Sequence, residues 1–125
     1  MMKKFLHVVP LFAAALMISF AAGAQQSTTE EVAYELPAMI SPKTVPLFDD
    51  AFANMPGVKI TMYCFNLNLV VFTVERNKVA DNTTIEQKIH GIFHTDNTML
   101  KLEPLQSFKR ANYTVMCNEQ DLITR

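Results

Sequence analysis

The side chains able to do soft-metal, redox or imidazole chemistry are few in this 125-residue sequence: Cys64 and Cys117, Met39, and the pair His90 and His94. In an oxidising compartment the two thiols can pair, closing a loop of about 54 residues worth roughly 4 kcal/mol in the chain-entropy model. Two other readings stay open: independent buried thiols, or one thiol kept free for metal or redox work. His90 and His94 stand four apart, which on a helix puts two imidazoles on one face at the spacing used by zinc helices. Against that, His-Gly-Ile-Phe-His has no Glu at its second position, and Gly91 weakens the helix that would hold the pair. A surface pair meeting the negative end of a helix dipole is the favoured account of them.

No enzyme is expected from the remaining residues. The chain has no nucleophile elbow, no glycine-rich phosphate loop and no Cys-x-x-Cys. The adjacent acids Glu30 and Glu31, and Asp49 and Asp50, point to different sides of whatever element carries them. A thiol-disulfide redox protein is disfavoured by the 52 residues between the cysteines and the lack of a reactive turn.

The amino terminus sets the compartment. Lys3 and Lys4 precede an almost unbroken apolar run, Phe5 to Phe20, and Ala22-Gly23-Ala24 supplies a small-x-small cleavage pattern. Residues 1–24 therefore read as a cleaved signal peptide, and bacterial export to the periplasm or medium is expected. Cleavage after Ala24 leaves nine basic against twelve acidic side chains, a net charge of −3. That balance, with no Lys/Arg block, excludes an electrostatic footprint for nucleic acid. No later apolar run approaches the roughly 20 residues that span a bilayer, so no membrane contact is expected after signal removal. Asn82-Thr83-Thr84 and Asn112-Tyr113-Thr114 match glycosylation sequons, which mean little in a bacterial export context.

The mature chain is long enough for one domain that buries about 65% of its unfolded surface. Gln25 to Glu31 reads as a disordered lead-in, 32–104 as the domain and 105–125 as a carboxy-terminal extension. Val32 to Met39 suits a short strand with Pro37 near its end. Val45, Leu47, Phe48, Ala51, Phe52 and Met55 recur at helical spacing, with Pro46 in the first turn and Pro56-Gly57 as the stop. Lys59 to Phe65 and Leu69 to Glu75 are rich in β-formers and joined by Asn66-Leu67-Asn68, a hairpin. Ile60, Met62 and Cys64 form one face and Thr61, Tyr63 and Phe65 the other, both apolar enough to be core, and the first is taken as inward. A second helix follows, capped by Asp81 or Asn82 and ending near His94. Met99 to Glu103 alternates like a fourth strand ended by Pro104, and Tyr113 to Cys117 suits a further short strand in a tail that either extends the sheet or covers its open face.

Strand, helix, strand, strand, helix, strand is the order of an α+β ferredoxin-like βαββαβ sandwich, with an antiparallel sheet and both helices on one face. On that frame Met39 stands 19 positions before Val58 of Met55-Pro56-Gly57-Val58. In these features the chain resembles the heavy-metal-associated domain of copper chaperones and of the amino-terminal modules of metal-pumping ATPases, over about 32–103. The resemblance implies a metal-binding Met-x-Cys-x-x-Cys after the first strand, and here its two cysteine positions fall on Ser41 and Thr44. Hydroxyls cannot act as anionic soft ligands, so the family's two-cysteine transfer chemistry does not carry over.

Two functions follow as expectations. The first is a non-enzymatic module acting by protein or ligand contact, docking an unidentified protein through the Ala38 to Val45 loop end of the sheet and an exposed strand edge. The second is a periplasmic copper or zinc binder with a relocated site. The topology brings Met39, Cys64 and His94 to one end of the sheet, and thiolate, thioether and imidazole together suit copper. Packing roles for Met39 and Cys64 are the competing explanation.

Overall fold

The computed structural model describes residues 29–125; the signal peptide expected over 1–24 and the first part of the lead-in lie outside the described residues. The described chain forms β1 (Thr29–Glu35), α1 (Val45–Phe52), β2 (Val58–Cys64), β3 (Leu69–Glu75), α2 (Thr83–Phe93), α3 (Arg110–Met116) and β4 (Leu122–Thr124), with a 3-10 turn at Glu119–Asp121 before the last strand. It is an α+β structure with one four-stranded antiparallel sheet in the order β1-β3-β2-β4. Among the described residues no helix is long and apolar enough to cross a membrane.

The central hairpin forms where the run of Val, Ile, Tyr and Phe places it. Its turn closes through the Asn68 amide donating to the Phe65 carbonyl at 3.2 Å, and Asn68 takes φ 53, a left-handed conformation that Asn tolerates better than most residues. β1 begins three residues earlier than expected, because Thr29, Glu30 and Glu31 pair with Glu75, Val74 and Thr73. The two acids are then neutralised by Arg76 and Arg110, at 2.7 and 2.9 Å. That part of the lead-in is sheet.

The expected inward face of β2 is corrected by a bulge. The register slips between Ile60 and Met62, which oppose the adjacent residues Phe72 and Val71. A residue inserted into one strand reverses the facing of everything after it. Ile60 and Tyr63 therefore lie on the helix side, packed with Phe48, Phe52, Phe72, Ile85 and Ile89. Met62 and Cys64 lie on the other side with Ala33, Leu69, Val71 and Cys117.

The helix-side core holds α1 and α2 through Phe48, Phe52, Ile85 and Ile89, all buried, and edge-to-face ring pairs join Phe48 to Tyr63 and to Phe93. Full burial of one such aromatic contributes about 1.5–3 kcal/mol. α2 ends where expected: His94 is the left-handed cap at φ 54.

Two expectations for the carboxy-terminal third are overturned. Met99–Glu103 is not a strand. Asp96 Oδ1 accepts the Thr98 and Met99 amides at 2.9 and 3.1 Å, and its carbonyl accepts Leu100. Those amides are spent on the turn, and Pro104 has none to give. What remains beside β1 is a single bridge, Tyr34 to Pro104, and the Leu105 amide donating to the Ala33 carbonyl at 2.8 Å. The fourth strand is instead β4, on the opposite edge, so the topology departs from a clean βαββαβ arrangement. Tyr113–Cys117 is likewise not a strand but the end of α3 and its cap. It lies over the sheet face rather than at an edge, where extended backbone would leave its polar groups unpaired and a helix pairs them internally. The tail thus does both things open to it: α3 covers the second face and β4 extends the sheet.

Candidate functional site

The loop where the resemblance places a chelating pair is closed on itself. The Thr44 hydroxyl accepts the Ser41 amide at 3.0 Å and donates to the Ser41 carbonyl at 2.8 Å, and the Thr44 amide bonds the same carbonyl at 3.0 Å. A two-cysteine loop offers sulfur to an ion; this one brackets its own turn and starts α1 at Val45, with Pro46 early in the first turn. Ala38, at φ 59, bends the chain into it. Pro42, Lys43 and Pro46 are exposed, as is Leu47 at 51%, so the outward surface of this end is apolar with one cation.

The three residues of the relocated metal site are not gathered by the fold. Cys64 is bonded to Cys117, with Cα atoms 6.1 Å apart, and a disulfide sulfur is not a thiolate ligand. Cys64 also faces the α3 side of the sheet, whereas Met39 packs against the core on the helix side. His94 is exposed at the end of α2. Among the described residues no three His, Cys, Asp or Glu side chains are grouped to hold a metal ion.

The histidine pair stands at the end of α2, with His94 as its left-handed cap and the His94 amide donating to the His90 carbonyl. His90 is engaged at both nitrogens, Nδ1 with the Thr95 hydroxyl and Nε2 with Asn97 Oδ1, each at 2.9 Å. Its role is to fasten the turn after α2. Asp96 in that turn is held below the usual carboxylate range by the Thr98 hydroxyl and the Thr98 and Met99 amides.

A polar cluster that sequence reasoning missed sits on the edge of the helix layer. Arg125 Nη2 donates to Asp49 Oδ2 at 2.9 Å, and Tyr63 Oη donates to Asp49 Oδ1 at 3.1 Å. The Arg125 guanidinium lies 5.6 Å from the centre of the Tyr63 ring. Arg125 keeps the Asp49 carboxyl below its ordinary range, against a smaller opposing effect of burial; burial first, then Asp49, pushes the Tyr63 phenol above its own. Asp49 was legible as a polar position on α1, but nothing in a periodic pattern links it to a residue 76 positions away. A shallow cleft of about 290 Å³ opens beside the cluster, between Phe52, Val58 and Lys59. A second polar knot surrounds the bulge, where Arg110 Nη2 donates to the Thr61 hydroxyl at 2.6 Å and the Arg125 amide to the Thr61 carbonyl at 2.9 Å.

Both buried tyrosines are tied to carboxylates, Tyr63 as above and Tyr34 to Glu86 at 2.7 Å. Burial, followed by that hydrogen bond, raises the Tyr34 phenol too. A phenol held protonated and bonded in this way anchors packing. Compared with known protein families, curated proteins and solved structures, the chain matches none of them.

Proposed function

We propose that this chain is an exported, non-enzymatic module of ferredoxin-like descent that works by contact with a protein partner through the Ala38 to Val45 loop end and the start of α1. The observation that carries the reading is the Ser41–Thr44 bracket: at the two positions of the resembled chelating loop, the Thr44 hydroxyl and both backbone amides are engaged in their own turn. Around that bracket stand Pro42, Pro46 and Leu47, exposed. Exposed apolar side chains on a rigid helix start are suited to a partner rather than to an ion.

The ferredoxin-like descent is supported by the order β1, α1, β2, β3, α2, by both helices packing on one face, and by the segment around Pro104 lying next to β1. Export is supported by the buried Cys64–Cys117 bond, which suits an oxidising compartment such as the periplasm. The site's chemistry is then recognition, with Lys43 available to a partner carboxylate and Leu47 to a partner pocket.

A photo-crosslinking residue at position 47 of the full chain, expressed with its signal sequence, tests this. The expected result is a discrete protein adduct at 47, absent with the same residue at 112 on the opposite face, and lost when Ser41→Asp and Pro42→Lys are added. An adduct that survives those two changes sinks the docking surface.

A further inference from the structure

The chain from Leu105 to Cys117 lies across the second face of the sheet, continues into β4 at the edge, and is fastened at separate points. Beneath it Ala33, Met62, Leu69 and Val71 form an apolar strip, against which Leu105, Phe108, Tyr113 and Leu122 pack. The helix within this segment is weak by itself. α3 has seven residues, no side-chain cap and no buried residue, and Val115 is 86% exposed; helices so short do not persist alone in water.

Two ties hold α3 in place. At its start Arg110 bonds Glu31 at 2.9 Å and the Thr61 hydroxyl at 2.6 Å. At its end Cys117 is bonded to Cys64. Three residues before α3, Ser107 adopts φ 55, a left-handed conformation that costs a non-glycine residue and marks a place where the chain gains by relaxing. None of the buried residues of the helix-side cluster lies beyond Leu102, and from this segment it is Ile123 of β4 that packs against it.

We infer that the Cys64–Cys117 bond is the releasable clasp of a strap, and that its reduction by a dithiol frees residues 107–120 and uncovers the Ala33, Met62, Leu69, Val71 strip while the sheet and its two packed helices stay folded. Reduction leaves α3 only the partly exposed Arg110 contacts, which are too weak to hold it alone. Cys117 is 8% exposed and Cys64 fully buried, so the incoming thiolate attacks Cys117 Sγ and Cys64 leaves as a thiolate that takes up a proton. The second thiol of the dithiol then attacks the mixed disulfide, and Cys117 departs and is protonated. Two electrons pass from the dithiol, which ends as a disulfide, to the protein pair. β4 keeps its pairing with β2, and Arg125 its hold on Asp49, so the strap opens as a loop tethered at both ends.

Residue-resolved amide exchange on the full mature chain, oxidised and after dithiothreitol, reads this directly. The Tyr113 and Cys117 amides, bonded to the Lys109 and Tyr113 carbonyls, are expected to exchange at least tenfold faster after reduction, while Val70 and Phe72 in the central strand keep their protection. Unchanged exchange in α3 overturns the inference. Equal acceleration in β3 also overturns it, because the bond would then hold the whole fold. The Cys64→Ser, Cys117→Ser double variant is expected to reproduce the released pattern without reductant, and a protected α3 in that variant overturns the clasp.

Discussion

Arg125 and Asp49 form a two-pronged ion pair across 76 positions of sequence, with Tyr63 Oη donating to the same carboxylate. The pair fixes the last residue of the chain to the second turn of α1 and runs past the edge of β2. Both partners are partly open to solvent, at 43% and 34% side-chain exposure, so water screens much of the attraction. Mutual fixation of β4 and α1 is its larger effect.

Arg125→Ala is expected to destabilise by about 0.5–1 kcal/mol at neutral pH, the upper range of exposed pairs. Asp49 has its folded-state acidity strengthened, so its contribution is present above the ordinary carboxylate range and is lost as pH falls through the depressed folded value. The wild-type advantage should therefore shrink below about pH 4. Urea melts of both proteins across an acid series check it; a gap that is constant down to full protonation contradicts the assignment.

Gly57 and Gly91, the two glycines among the described residues, differ in a way that fixes the sign of substitution. Gly57 has φ 81, and a Cβ there would stand 2.8 Å from Lys78 Cβ; Gly57→Ala is expected to cost about 1–3 kcal/mol through strain and clash. Gly91 lies within α2, and a Cβ there meets nothing within 4 Å. Gly91→Ala should stabilise by about 0.5–1 kcal/mol, the helix-propensity difference. Thermal melts of the pair, moving in opposite directions, confirm the backbone reading.

The parts of this fold legible in the sequence were those whose signal is local. α1, α2 and the hairpin follow from apolar spacing and from Pro56-Gly57 and the Asn66 to Asn68 turn. The facing of β2 was hidden because a bulge is decided by both strands, and Thr61 has no feature within its own strand that announces it. Met99–Glu103 has the alternation of a strand, but Asp96 takes the amides it needed. Tyr113–Cys117 carries β-formers and becomes helical because of where the sheet face lies. At the candidate site, the hydroxyl side chains of Ser41 and Thr44 at the positions where the resemblance would place thiolates were legible, whereas the separation of Met39 from Cys64 depended on the unseen bulge.

Thr61 is the hub through which the strap meets the sheet. Its hydroxyl receives Arg110 at 2.6 Å and lies 3.4 Å from the Thr73 hydroxyl. Thr61→Val keeps the shape and strand preference and removes these bonds together with the hydroxyl's 3.5 Å donation to the Val71 carbonyl, leaving the guanidinium short of an acceptor. The expected cost is about 0.5–1.5 kcal/mol. Arg110→Ala combined with Thr61→Val should cost less than the sum of the two single changes, since both break one contact. A double-mutant cycle in urea measures the coupling, and strict additivity would separate Arg110 from the bulge.

Removing the disulfide is expected to act mostly on the unfolded chain. The bond links residues 53 apart, and the chain-entropy model assigns a loop of that size about 4 kcal/mol. In the Cys64→Ser, Cys117→Ser variant, the unfolded ensemble expands and exposes more surface, so the dependence of stability on urea should steepen while the stability in water falls. The native state meanwhile loses the fastening of α3 and its cover over the second cluster, while the helix-side cluster, which contains neither cysteine, stays packed. A fall of about 4 kcal/mol with a steeper urea slope places the effect in the unfolded state. A smaller fall with an unchanged slope would mean that the reduced chain remains compact through the contacts of Phe108 and Tyr113 with the sheet.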